Sequence, residues 1–285
     1  SSVTGVQTCA LPISPDALVR VINDYTRESG LRNLERQVAD ICRKIAMMCL
    51  QSNASQDEQV HIDAPTVGRL LGPRKFHREA AEANPQIGVA TGMVWAETGG
   101  EIISVEAALM PGSGTLMLTG SLGEVLRESA QTALSFLRSR SETFGAPADF
   151  FRNSDVHIHF PSGAVPKDGP SAGITIFAAL LSLLTRRPAL RDVAMTGEMT
   201  LTGRILPVSG IREKMLAARR AGVRLTLLPL ANKEEVEALE PDVTEGLQVM
   251  LIAHAGDMPE HLFGPPERGE SDAVPGKDSV GSANR

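Results

Sequence analysis

The sequence predicts an α+β (mixed α/β) protein, and three observations carry that prediction. Over 285 residues, 42% are apolar and 22% charged, the balance of a globular chain with room for one large domain or two smaller ones. The first third is helical in its periodicity. From Pro73 onward, short apolar runs separated by glycine-rich turns alternate with helical stretches, the texture of strands and helices mixed in one domain.

The elements can be taken in order. Residues 1–14 (SSVTGVQTCALPIS) show no periodicity and no cap signal, and read as a foreign or artefactual segment to be left out of fold reasoning. Residues 15–72 form a helical unit. In it Leu31, Leu34, Val38, Ile41, Ile45 and Met48 recur at steps of three and four, one apolar stripe along an amphipathic helix. A loop at 53–59, a short strand at 60–62 and a helix at 64–71 ending at Gly72 complete the unit.

Residues 73–264 then make the larger domain. Strands are expected at 88–95, 101–109 and 115–119, a helix at 122–140 and a strand at 156–160. The run ITIFAALLSLL at 174–184 reads as a buried helix. Strands follow at 193–196 and 204–208, a helix at 211–221, a strand at 225–228 and a helix at 233–240. From 265 to 285 proline, glycine, serine and charge dominate, the composition of a disordered tail.

Composition also excludes functions. The net charge, 28 basic minus 34 acidic residues, is −6 with the signs interspersed, so no basic footprint for DNA or RNA is evident. Ten aromatic residues are too few for a base-stacking platform. The eleven-residue apolar run falls well short of the roughly 20 needed to span a bilayer. Cys9, Cys42 and Cys49 lack any CxxC or CxxxH spacing, which disfavours a disulfide framework or zinc site and suits core positions in a reducing, cytoplasmic compartment.

Two segments carry candidate chemistry. PKDGPSAG at 166–173 is a strand-to-helix junction in which Gly169 permits unusual backbone angles and Pro170 suits helix entry. Ser171 thus sits where free backbone N–H groups can hold a developing oxyanion, as a nucleophile would, or it is simply a helix cap. On the helix IREKMLAARRA at 211–221, a step of about 100° per residue puts Arg212, Glu213, Arg219 and Arg220 on one side. Lys214 falls on the other, beside Ile211, Ala217, Ala218 and Ala221. An amine there loses solvation and becomes a base, the partner a serine needs, unless the side chain snorkels from the stripe's edge. No GxxxxGK[ST] phosphate loop occurs. His157 and His159, two apart on a strand, share a face and could begin a zinc site, but no third ligand has convincing spacing and HExxH is absent.

Together PKDGPSAG, TGEMTLTGRILPVSGIREKMLAA (196–218) and GSLGEVLRESA (120–130) resemble the proteolytic domain of the Lon family of ATP-dependent proteases, and the similarity runs from about residue 16 to 263. The resemblance implies that Ser171 is the nucleophile and Lys214 its base. It implies further that Thr196 hydrogen-bonds the lysine amine and that Asp168 is the acidic residue beside the dyad, with a structural or gating role. Glu106 and Trp95 match positions near the site, while His157 and His159 read, on their own residues, as packing or hydrogen-bonding groups near the serine loop in preference to metal ligands. YTRESGLRNLER (25–36) resembles the end of the family's AAA+ helical subdomain, where the arginine matching Arg32 senses nucleotide in the full-length protein.

The implied activity is ATP-dependent serine endopeptidase, acting on unfolded, damaged and degron-bearing proteins as a homohexamer. ATP and Mg would belong to the full-length protein, and no cofactor or metal to this part. A non-catalytic Lon-like oligomerisation or DNA-handling module is the rival, disfavoured because both Ser171 and Lys214 are kept.

Overall fold

A computed structural model of the chain describes residues 12–26, 28, 30–52, 60–76, 85–96, 99–161 and 168–264. The expected loop at 53–59, residues 1–11, Cys9 with them, and the tail at 265–285 lie outside the described residues.

Helices α1 (Pro15–Tyr25), α2 (Arg32–Ser52) and α3 (Ala64–Leu71) share one apolar cluster, with Ala17, Val21, Ile41, Ile45, Ile62 and Val67 at its centre. The sequence reading set residues 1–14 aside as lacking a cap. Ser14 is nevertheless the cap of α1, its Oγ accepting the Ala17 N–H at 3.2 Å. Ile13 also bridges Ile62, with the Ser14 N–H on the Ile62 carbonyl at 3.0 Å. The α2 stripe holds only at its middle. Ile41 and Ile45 are buried, whereas Leu31 and Met48 at its ends are 67% and 57% exposed. Cys42 and Cys49, expected in the core, are half-buried.

The larger domain runs β1 (Val89–Ala96), β2 (Gly99–Pro111), β3 (Leu116–Thr119), α4 (Glu124–Ser139), β4 (Ser154–His159), α5 (Gly173–Thr185), β5 (Val193–Met195), β6 (Glu198–Met199), β7 (Ile205–Leu206), α6 (Ile211–Arg220), β8 (Leu225–Pro229), α7 (Lys233–Glu237), α8 (Pro241–Thr244), β9 (Gln248–Ile252) and α9 (Pro259–Leu262). The α+β class is therefore as expected. Seven strands form a mixed sheet in the order β3-β4-β2-β1-β5-β8-β9, and β6 and β7 form a two-stranded hairpin. Pairing is antiparallel from β1 to β2 and from β2 to β4, and parallel across β1-β5-β8-β9.

Strand alternation explains the layering. On β2, Ile103, Val105 and Ala107 join the cluster built from α4 and α5, while Ile102 joins the one built from α6. The α5 and α6 helices therefore cover opposite faces of one sheet. At Gly100 the approach is so close that a Cβ would overlap the Glu213 carbonyl, so only glycine lets α6 lie directly on β2. Among the described residues no helix is long and apolar enough to cross a membrane.

Candidate active site

Ser171 lies in a single 3-10 turn, Pro170–Ala172, leading into α5. Gly169 before it has φ 129°, the conformation for which the sequence supplied a glycine. Ser171 is not a side-chain cap: the capping position of α5 is Ala172, and no side chain bonds there. Instead the Ser171 carbonyl accepts two hydrogen bonds from the strand end opposite, the Gly197 N–H at 2.8 Å and the Thr196 Oγ1–H at 3.2 Å. The Ile174 N–H bonds back to the Gly197 carbonyl at 3.2 Å, so the start of α5 is stitched to the end of β5. Two amides expected to face a developing oxyanion are thereby engaged, since the Gly173 N–H also bonds the Pro170 carbonyl.

Lys214 sits on α6 as the helical phase requires, among Ile211, Met215, Ala217 and Ala218, and is 2% exposed. It does not snorkel. Burial lowers its pKa from 10.5 to about 8, the Glu235 carboxylate pulling weakly the other way. Roughly a tenth of the amine is then neutral at pH 7, against far less for an ordinary lysine, and the neutral share that a base requires grows as the pH rises toward 8. Among the described residues, no hydrogen bond joins the Ser171 hydroxyl to the Lys214 amine.

The other expected residues divide. Thr196 is fully buried and beside Ser171, but its hydroxyl donates to the Ser171 carbonyl and not to the lysine amine. Asp168 is drawn elsewhere. Its Oδ1 accepts the Leu126 N–H at 3.1 Å and the Gly169 N–H at 2.9 Å, so it caps α4, whose own capping residue Gly123 has no side chain to offer. His159 Nδ1 and His157 Nε2 both meet the Thr119 hydroxyl, at 2.6 and 2.9 Å. One hydroxyl carries one proton, so it donates to one imidazole and accepts from the other. Glu106 is half-buried on β2, directly opposite His159 in the β2-β4 register. Among the described residues no three His, Cys, Asp or Glu side chains gather as metal ligands. Trp95 is 58% exposed at the end of β1, packed on the Gly210 turn that starts α6. Arg32 is exposed at the first turn of α2, where the Glu28 carboxylate accepts the N–H groups of Asn33 and Leu34 at 2.7 to 2.9 Å.

Residues 61–264 match the model of the Lon protease (S16) C-terminal proteolytic domain. The chain belongs to the Lon protease family. Residues 3–60 match the family's AAA+ ATPase lid domain. Similar proteins include Lon protease of Anaeromyxobacter dehalogenans, 48% identical over 254 residues, which are 89% of this chain and 30% of that protein. Lon protease of Heliobacterium modesticaldum is 49% identical over 250 residues, 88% of this chain and 30% of the relative. Lon protease 1 of Myxococcus xanthus is 46% identical over 254 residues, 89% and 31%. The chain thus spans about a third of the length of the curated relatives it matches.

Sequence reasoning missed two groups that shape this Lon-type site. Strand β6 continues directly from Thr196 and Gly197 and is too short to show a period, whereas its partner β7 falls within the strand expected at 204–208. Asn232 is the other: buried before α7, it donates to the Val208 carbonyl at 2.8 Å and accepts the Val208 N–H at 3.0 Å, which ties the segment leading into α6 to α7.

Proposed function

We propose that this chain is the peptide-cleaving part of an ATP-dependent serine endopeptidase with a Ser171-Lys214 dyad. The observation that carries the reading is the burial of one lysine on an otherwise apolar helix face, in a domain whose Ser171 is held at the mouth of α5 without a capping duty.

Neutral Lys214 takes the Ser171 proton as Oγ attacks the substrate carbonyl, whose π pair moves onto oxygen. The Ser171 and Ala172 amides hold that oxyanion. Collapse expels the amine, which takes its proton from the Lys214 ammonium and leaves an acyl-enzyme. Lys214 then deprotonates the water that releases it. The hydroxyl and amine close to hydrogen-bond distance as substrate enters, since apo geometry at such pairs is commonly looser than in the reacting complex. Thr196 and Gly197 fix the serine from the carbonyl side.

The wider reading rests on family membership and on the two matched domains. Residues 15–72, joined by the preceding stretch that the lid-domain match takes in from residue 3, are the C-terminal part of the AAA+ helical subdomain, and 73–264 are the peptidase domain. In the full-length protein, with Arg32 sensing nucleotide, ATP and Mg drive delivery of unfolded, damaged and short-lived proteins to a cytoplasmic homohexamer.

The test is covalent. A serine-directed phosphonylating reagent should modify Ser171, and Lys214→Ala should abolish the modification. Labelling elsewhere, or labelling of Ser171 at an undiminished rate in Lys214→Ala, overturns the dyad.

A further inference from the structure

The serine turn is held from its carbonyl side by Thr196 and Gly197, so whatever fixes that strand end fixes the nucleophile with it. Gly197 runs directly into β6, whose Met199 pairs with Ile205 of β7. A Cβ at Gly197 would lie 2.9 Å from the Ile205 side chain and 3.1 Å from that of Ile174, so β7 and the first turn of α5 close on the same residue. The root of the hairpin is packed against the serine turn.

The far end of the hairpin is tied down by the segment after β9. The Ile205 N–H donates to the Ala253 carbonyl at 2.9 Å, the Ala255 N–H donates to the Gly203 carbonyl at 2.8 Å, and Arg204 forms a bridge with His254. The His254 imidazole closes the gap that remains. Its Nε2 lies 2.9 Å from the Thr202 carbonyl, which can only accept, and its Nδ1 lies 2.9 Å from the Gly256 amide nitrogen, which can only donate. These partners assign one state to the ring, neutral with its proton on Nε2. The half-buried ring meets Phe136 edge to face, with centroids 5.9 Å apart. Gly203, at φ 85°, fits beneath both rings: a Cβ there would fall 2.5 Å from Phe136 and 2.7 Å from Nε2.

We propose that His254 is a positioning residue for peptide cleavage: its Nε2–H bond to the Thr202 carbonyl clamps the β6-β7 hairpin, and the root of that hairpin holds Ser171 in place for attack. The inference rests on the dyad reading for its kinetic consequence. Nδ1 has a separate duty, capping the short turn Ala255–Asp257. The two nitrogens of one ring therefore divide a local structural role from a role at the serine.

That division supplies the test. His254→Asn puts an amide oxygen near the place of Nδ1 and keeps the Gly256 bond, but is too short to reach Thr202, whereas His254→Gln carries an N–H to the place of Nε2 and keeps the clamp. Phosphonylation of Ser171 in the whole chain should fall about tenfold in His254→Asn, as a small misplacement of a reacting group would cause, and stay close to wild type in His254→Gln. Amide hydrogen exchange at Gly197, whose N–H donates to the Ser171 carbonyl, should quicken in the asparagine variant alone, while its thermal denaturation stays near wild type because the cap survives. The ¹⁵N shifts of the wild-type ring should place its proton on Nε2. An asparagine variant that labels like wild type, or labels slowly with Gly197 exchange unchanged, overturns the inference. A ring proton on Nδ1, or a folded glutamine variant that labels tenfold slower than wild type, overturns it as well, and these two arms decide if the asparagine variant does not fold. Undiminished labelling of Ser171 in Lys214→Ala overturns instead the dyad, and leaves the exchange at Gly197 to judge the clamp.

Discussion

The α5 and α6 helices lie on opposite faces of one sheet and solve opposite problems. Eleven of the thirteen residues of α5 are buried, all of them apolar or small apart from Thr175 and Ser182. Both hydroxyls are satisfied, Thr175 on the Met195 carbonyl at 3.4 Å and Ser182 on the Arg187 carbonyl at 2.6 Å. A helix apolar all round is a core element, and α5 anchors the serine from within the core. The α6 helix buries five residues of ten, and one of them is Lys214. The fold accepts a desolvated amine there. Stability is concentrated in one helix and spent in the other, and the reaction needs both.

The largest effect expected is on the α6 side. Lys214→Arg keeps a cation that cannot give up its proton, and Ser171→Ala removes the nucleophile, so each should lower peptide hydrolysis by about a thousandfold or more. Steady-state cleavage of a short fluorogenic peptide measures this. Retained turnover in Lys214→Arg would mean that the buried amine is not the base.

Stability should split the two helices in opposite directions. Ile176→Ala empties a fully buried site on α5 and should cost about 2–5 kcal/mol in chemical denaturation. Lys214→Met fills the same pocket without a charge and should gain about 1–3 kcal/mol while abolishing hydrolysis. A destabilised Lys214→Met would show that the amine is better solvated than its burial implies.

The pH dependence follows with its sign. Burial depresses the folded-state pKa of Lys214 from 10.5 to about 8. Between those values the unfolded chain binds a proton that the folded chain does not, so stability should rise with pH across that window. Below about pH 8 the charged amine is a constant penalty. Peptide hydrolysis should rise along a single ionisation centred near the folded value. Lys214→Met should flatten the stability rise, and a slope that persists in it would assign the titration to another group.

Much of this contrast is legible in the sequence. The run at 174–184 has no polar stripe, and the phase of 211–221 isolates Lys214 among alanines, so local periodicity alone separates the two helices. Ser171 at a glycine-proline junction is legible for the same reason. Contacts between distant segments are not. Asp168 caps a helix 42 residues earlier, Thr196 turns to the serine carbonyl, and Asn232 joins Val208 to Glu235, each through a packing that no local pattern encodes. The edge strand β9 is only half-buried, so its alternation is too weak to stand out. The stripe on α2 fails at its ends because periodicity shows a face but not how much of it a partner covers.

The smallest effect tests how the serine end of α5 is restrained. Its carbonyl side is stitched to Gly197 and Thr196, while the residue two before the 3-10 turn's serine-bearing centre, Gly169, follows an aspartate committed to α4. If Asp168 acts only as that cap, Asp168→Asn should leave both stability and Ser171 phosphonylation close to wild type, because an amide oxygen caps nearly as well. Asp168→Ala should lose about 1 kcal/mol, with a modest change in labelling rate as the loop loosens. Thermal denaturation read beside labelling separates the two roles. An asparagine variant that melts like wild type but labels as poorly as Lys214→Arg would show that the carboxylate charge serves the chemistry, and α4 would then be borrowing a catalytic group rather than a cap.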